Sequence, residues 1–355
     1  MQKHLGFVFL GCFVLAFAGC PHGGPHGLSF SFEVTGLDVV EPKGDSLNDH
    51  DWAAGGWAVG DGNFAPVVWL DGELIFVADN APSGVLHGIN NRGAVVGVRI
   101  PQNNPPNFLE QFIDSRITEF QSGRGQYYSI NEYDEIVGEI DPPGSSLDRH
   151  ALLTSIFGND VFIFPGDDGG NSVSYGINDA GDFVGSSTDI GGDMTINALK
   201  WVKGVLTPLS SLGGPFSEAY AISDHGVTVG VSTAAADAKT NVPHIAVCWP
   251  ETDLVELPTL GGENSTAWDI NNDGDTVGFS EDENGDSRAI LWTASGRSGN
   301  IRAIDLNDVV DFGDATPGSI ILRDAVDINE PGSIVCRADR SVGDAVEQIY
   351  VLLRR

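Results

Sequence analysis

Residues 257–280 read LPTLGGENSTAWDINNDGDTVGFS, and residues 209–232 read LSSLGGPFSEAYAISDHGVTVGVS. The two stretches lie 48 residues apart and share an L-G-G, an I-(N/S)-x-x-G and a V-G at matching offsets. The shorter core recurs along the chain as LNDHDWAAG, INNRGAVVG, INEYDEIVG, INDAGDFVG, ISDHGVTVG, INNDGDTVG and INEPGSIVC. Its second position falls at Asn48, Asn90, Asn131, Asn178, Ser223, Asn271 and Asn329, with spacings of 42, 41, 47, 45, 48 and 58 residues. A period of this length is the mark of a repeat architecture, and it takes precedence over any segment-by-segment assignment.

Each unit resolves into four short β-rich runs bounded by Gly, Asn, Asp and Pro. In the fourth unit they are SVSYGI, DFVGSS, NALKWV and VLTPLSS. Such runs, with no sustained helical periodicity after residue 20, predict an all-β meander. Four strands in about 40–45 residues predict one blade of a β-propeller. In the N-x-x-G turn the Asn side chain bonds the backbone two residues on, and the Gly supplies positive φ. The Trp that ends the third strand (Trp69, Trp201, Trp249, Trp292) is expected to pack between neighbouring sheets. The seventh unit stops after its third strand, while residues 30–40, FSFEVTGLDVV, form an orphan run before the first unit. Pairing the two predicts a seven-bladed propeller of four-stranded blades, closed by an N-terminal strand that completes the last blade. Closure leaves no open edge to template aggregation.

The LGG and IN-x-x-G-x-x-V-G elements, followed by SRAILW and HIAVCW, resemble the extracellular HAF-family repeats of bacteria over essentially residues 45–353. The triplet that names the family reads His150-Ala151-Leu152 at its nearest copy here. The resemblance implies an exported, repetitive propeller-like protein, and it implies location and fold more than activity.

The N-terminus agrees with export. Lys3 precedes the apolar run LGFVFLGCFVLAF at 5–17, which is shorter than the roughly 20 residues needed to span a bilayer. Residues 1–19 therefore read as a signal peptide of lipoprotein type. AFA at 16–18 fits ordinary cleavage, while FAGC at 17–20 resembles a lipobox with Cys20 as the lipidated residue. Residues 20–29 form a Gly/Pro/His tether, and 30–355 the propeller. Cys248 and Cys336 fall in non-adjacent units and read as buried apolar residues, not as a disulfide.

The chain carries 18 Lys+Arg against 50 Asp+Glu, a formal net charge of −32. With five Lys and no basic patch, nucleic acid is excluded as a partner. The membrane enters only through the N-terminal lipid, a monomer is expected, and the partner is expected to be an extracellular glycan or protein.

Catalytic motifs are absent: there is no phosphate loop, no zinc spacing and no clean Asp-box. Three other features are candidates. DINNDGD places Asp269, Asn271, Asp273 and Asp275 at alternate positions about a Gly, a hard-oxygen set suited to Ca²⁺. It also resembles the cation loops of integrin-type propellers. The insertion at 305–319 offers Asp311, Phe312 and Asp314 as ligand-binding residues. The third residue before each turn Asn or Ser is His87, Tyr128, Tyr175, Tyr220, Trp268 and Val326, a line along the axis that either stacks sugar rings or packs blade on blade. The sequence thus predicts a surface binding module without catalytic activity or cofactor, Ca²⁺ being the one candidate ion. The alternatives are a carbohydrate-active hydrolase or lyase on the same scaffold, and a Ca²⁺-dependent adhesion protein.

Overall fold

The computed structural model describes residues 31–35, 47–60, 63–70, 73–76, 84–99, 110–113, 116–117, 125–141, 149–156, 162–164, 170–188, 195–235, 242–295, 300–312 and 318–354. The expected signal peptide, the tether with Cys20, and Asp314 lie outside them. Among the described residues every element is a strand except one four-residue helix, Leu306–Val309, capped by the Asp305 carboxylate.

The fourth unit shows how the sequence builds a sheet. Strands Ser172–Ile177, Phe183–Thr188, Ile196–Val202 and Val205–Pro208 pair antiparallel in chain order. They coincide with the four runs expected from sequence. The second, third, fifth and sixth units repeat this meander, and a single parallel pairing, Ile196 with Phe216, links the fourth and fifth sheets. The first unit has three described strands, Ala53–Gly60, Asn63–Leu70 and Glu73–Phe76, with Leu47 bridged to Ala53. In the seventh, Ile320–Ile328, Ile334–Val342 and Ala345–Arg354 are joined by the N-terminal strand Ser31–Thr35. That strand lies antiparallel to Ala345–Arg354, with Ser31 opposite Arg354 and Thr35 opposite Tyr350.

Apolar cores lie between consecutive sheets. The sheet of unit three packs on that of unit four through Val137, Ile177, Phe183 and Trp201. Comparable clusters join each successive pair, and one built from Leu47, Val67, Trp69, Val326, Tyr350 and Leu352 joins the last sheet to the first. Trp69, Trp201, Trp249 and Trp292 are at most 3% exposed, and each packs against the sheet that precedes its own in this cycle. Burying about 150–250 Å² of indole gives an upper estimate of about 4–6 kcal/mol per Trp before entropy.

The two residues that open the segment before L-G-G have a physical role. Leu209 and Leu257 fill the inter-sheet cores, while the next residue presents its carbonyl to the following unit's Trp. Trp249 Nε1 donates to Ser210 O at 2.8 Å and Trp292 Nε1 to Pro258 O at 2.7 Å. The V-G glycine marks a close approach of strands: a Cβ on Gly278 would lie 1.9 Å from Thr266 O.

The turn asparagines do more than close their own turns. Asn178 Oδ1 accepts from the Ala180 and Asp182 amides, and its Nδ2 donates to Ser223 O of the next unit at 3.0 Å. The same cross-unit bond runs from Asn48 to Asn90, from Asn90 to Asn131, from Asn131 to Asn178, and from Asn271 to Asn329. Asn329 then donates to Asn48 O at 2.9 Å, joining the last unit to the first. Ser223 has no amide, so no such bond runs from it to Asn271.

A second series passes through the following residue in each turn. The backbone N–H of Asp49 donates to the Asn91 side chain, Asn91 to Glu132, Glu132 to Asp179, Asp179 to Asp224, Asp224 to Asn272, and Asn272 to Glu330. Glu330 N donates in turn to Asp49 Oδ1 at 3.0 Å, so this series returns to its start. Arg354 adds an ion pair to Asp51 at 2.8 Å across the same junction.

Candidate functional site

Successive side chains of a strand point to opposite faces, so one position in each first strand projects alike in every unit. Three residues before the turn Asn or Ser, this position carries aromatic rings in units two to six. They touch in series: His87 to Tyr128 (centroids 5.6 Å), Tyr128 to Tyr175 (5.5 Å), Tyr175 to Tyr220 (5.5 Å) and Tyr220 to Trp268 (4.9 Å). All four contacts are tilted, a favoured geometry for aromatic pairs. His87, Tyr175 and Tyr220 are buried, whereas Tyr128 and Trp268 are half-buried.

Carboxylates hang from this aromatic layer. Glu218 accepts from Tyr220 Oη at 2.7 Å, Tyr175 Oη at 3.2 Å and Ser186 Oγ at 3.3 Å. Glu139 accepts from Tyr128 Oη at 3.1 Å and pairs with Arg149 at 2.7 Å. Asp324 accepts from Trp268 Nε1 at 2.9 Å and pairs with Arg337 at 3.3 Å. Burial, reinforced by Glu139, pushes the Tyr128 hydroxyl well above its usual range, and burial with Glu218 does the same at Tyr175 and Tyr220. Burial also raises Asp324 to about 6, against the opposing pull of Arg337.

These acids occupy positions where no other unit carries a carboxylate in the same setting and several carry apolar residues. Five residues before the turn Asn or Ser stand Val85, Gln126, Val173, Glu218, Thr266 and Asp324, and eight after it stand Val98, Glu139, Ser186, Val231, Phe279 and Arg337. The aromatic line was visible in the sequence. The acids beneath it were not singled out, although aligning the seven copies at these two offsets exposes them.

At the turns, five of the seven residues that follow the Asn or Ser are carboxylates: Asp49, Glu132, Asp179, Asp224 and Glu330. Burial first, and then neighbouring charges including Asp49, raise Glu132, Asp179 and Glu330 above the ordinary carboxylate range.

The four residues expected to hold Ca²⁺ stand in different surroundings. Asp269 is buried, accepts the Ile328 amide at 2.9 Å and bonds Asp327, and burial raises it above the usual range. Asn271 spends its oxygen on the Asp275 amide and its Nδ2 on Asn329 O. Asp275 is buried, and Asp273 is exposed. Among the described residues no three His, Cys, Asp or Glu side chains form a metal-holding group. In the insertion, Asp311 is exposed and Phe312 packs on the core between units six and seven. Cys248 and Cys336 are buried free thiols, and burial raises Cys248 to about 11. No described helix is long and apolar enough to cross a membrane.

No protein-family model matches the chain, and no curated protein is similar to it. Among solved structures, TolB from Acinetobacter baumannii is similar, at 11% identity over 92% of this chain and 96% of that chain, with a TM-score of 0.42.

Proposed function

We propose that the chain is an exported, lipid-anchored, seven-bladed β-propeller of the HAF-repeat type that acts as a non-enzymatic binding module. The seven inter-sheet cores and the turn-to-turn hydrogen bonds that return to Asn48 and Asp49 support the ring. The binding role rests on one observation: the aromatic layer of the first strands, with Glu139, Glu218 and Asp324 bonded to it, at positions that depart from the repeat. Rings with a few convergent polar groups are the usual lining of a ligand site. The partner is an extracellular glycan or protein. A glycan-array and cell-surface binding screen of the purified protein tests this, and a protein that binds neither overturns it. Mass spectrometry of the native N-terminus tests the anchor, since an unmodified Cys20 removes it.

A second reading draws on Asp324. A buried carboxyl raised to about 6 beside an indole and a guanidinium resembles a general acid tuned for work near neutrality. A hydrolase acting on polysaccharide follows from it. Release of reducing ends from a polysaccharide panel, abolished in Asp324→Asn, is the expected result; no turnover on any member removes this reading.

A further inference from the structure

We infer that the Glu218 site receives a quaternary ammonium group, such as the head of a choline. The inference deepens the binding-module reading and rests on it.

Three observations converge. First, Glu218 is 9% exposed at a position that is Val in units two and four. A buried carboxylate is costly unless its charge is compensated. Second, its companions in the same layer each have a guanidinium, and among the described residues Glu218 has none. Glu139 has the Arg149 guanidinium and Asp324 has that of Arg337, whereas among the described residues Glu218 has only three neutral hydroxyl donors. The charge missing from the set is a cation. Third, aromatic rings surround it: Tyr175 and Tyr220 reach the carboxylate through their hydroxyls and touch in series with their neighbours. The Tyr128, Tyr175, Tyr220 and Trp268 rings run in series past the carboxylate, and Tyr128 and Trp268, at its two flanks, keep part of their surface open.

That combination selects the kind of cation. Ring faces attract a weakly hydrated ammonium, and a carboxylate at the centre supplies the opposite charge. A divalent metal asks for six to eight oxygen ligands, which one carboxylate and two phenols do not supply. A neutral sugar uses the ring faces but leaves the Glu218 charge uncompensated. The formal net charge of −32 adds long-range attraction for any cationic ligand.

Calorimetric titration of the purified protein with choline chloride at low ionic strength, run beside D-glucose and calcium chloride, tests the assignment. Saturable 1:1 choline binding is expected, weakened about tenfold or more in Glu218→Gln and several-fold in Trp268→Leu. Trp268→Leu removes one ring face without touching the carboxylate, so it remains informative if Glu218→Gln fails to fold. The inference is overturned if wild-type protein ignores millimolar choline, if both variants bind as wild type does, or if glucose or calcium binds in place of choline. Should choline fail while the glycan or cell-surface screen succeeds, the module survives and only the ammonium assignment falls.

Discussion

Replacing Asn329 by Ser asks directly whether the last unit is joined to the first. The wild-type side chain donates to Asn48 O at 2.9 Å and to Asp51 Oδ1 at 3.0 Å, and accepts from the Ser333 amide at 2.7 Å. Serine keeps the last of these, as Ser223 does for Val227 in the fifth unit, and loses both donations. Each lost bond is worth about 1 kcal/mol net, somewhat more for the one to a carboxylate. Asn48 O retains the Asp51 amide and Asp51 retains Arg354, so neither acceptor is orphaned. Asn329→Ser is therefore expected to cost about 2 kcal/mol. The internal control Asn178→Ser, which loses a single donation to Ser223 O, is expected to cost about 1 kcal/mol. In a chain of this length each kcal/mol moves the melting midpoint by roughly 2–4 °C or less, within reach of scanning calorimetry. The converse change, Ser223→Asn, supplies the missing donor to Asn271 O and is expected to raise the midpoint. If Asn329→Ser melts with the wild type while Asn178→Ser is destabilised, the ends are not joined in solution and the ring is wrong.

Four further outcomes are expected. Asp324 is 6% exposed and raised from 3.8 to about 6, so its contribution is full below pH 3.8 and is lost as pH rises through about 6. That loss is worth about 3 kcal/mol; the raised Glu132, Asp179 and Glu330 act with the same sign, and Asp324→Asn should flatten the melting midpoint between pH 4 and pH 7. Trp292→Phe strips the bond to Pro258 O and part of a 1%-exposed side chain, for an expected loss of about 2–3 kcal/mol by urea unfolding. Gly278→Ala drives a Cβ into Thr266 O and toward Trp292, and should cost at least about 2–3 kcal/mol, where an exposed turn substitution such as Asp273→Ala costs under about 0.5 kcal/mol. Calcium at millimolar concentration, compared with EGTA, should leave the melt unmoved, because Asp269 and Asn271 already spend their oxygens on backbone amides; a rise of several degrees would restore the sixth-unit loop as a cation site.

What the sequence revealed was periodic or local. The four strands of unit four, the N-x-x-G turns, the Trp positions and the pairing of an N-terminal strand with the last unit all follow from the repeat and from hydrogen bonds spanning a few residues. In the second unit FLEQF at 108–112 marks the third strand, and the described strand is Glu110–Ile113. The short helix Leu306–Val309 escaped for a different reason. Four residues are too few to show a helical period, and only Asp305 as a cap gives it away. The cross-unit bonds of the turns connect residues 41 to 58 apart, and 281 apart where the last unit meets the first, and no pattern within one turn announces them. The Glu139, Glu218 and Asp324 constellation needed both the alignment of units and the knowledge that their first strands lie side by side.

The second turn series accounts for part of the acidity of the chain. In each turn the donor is a backbone N–H, so the residue after the Asn or Ser of the next unit must supply an acceptor of the right length. Asp, Asn and Glu qualify, and those are the residues found at 49, 91, 132, 179, 224, 272 and 330. Lys and Arg do not, since neither side chain has an acceptor. Asn supplies an acceptor without charge and appears twice, between acids: Asn91 Nδ2 donates to Asp49 Oδ2 and Asn272 Nδ2 to Asp224 Oδ2, each at 2.7 Å. A turn series made wholly of carboxylates would crowd like charges, and neighbouring acids already help to raise Asp179 and Glu330; the two amides relieve that repulsion while continuing the chain of bonds. Five of the acidic residues therefore serve to join one unit to the next.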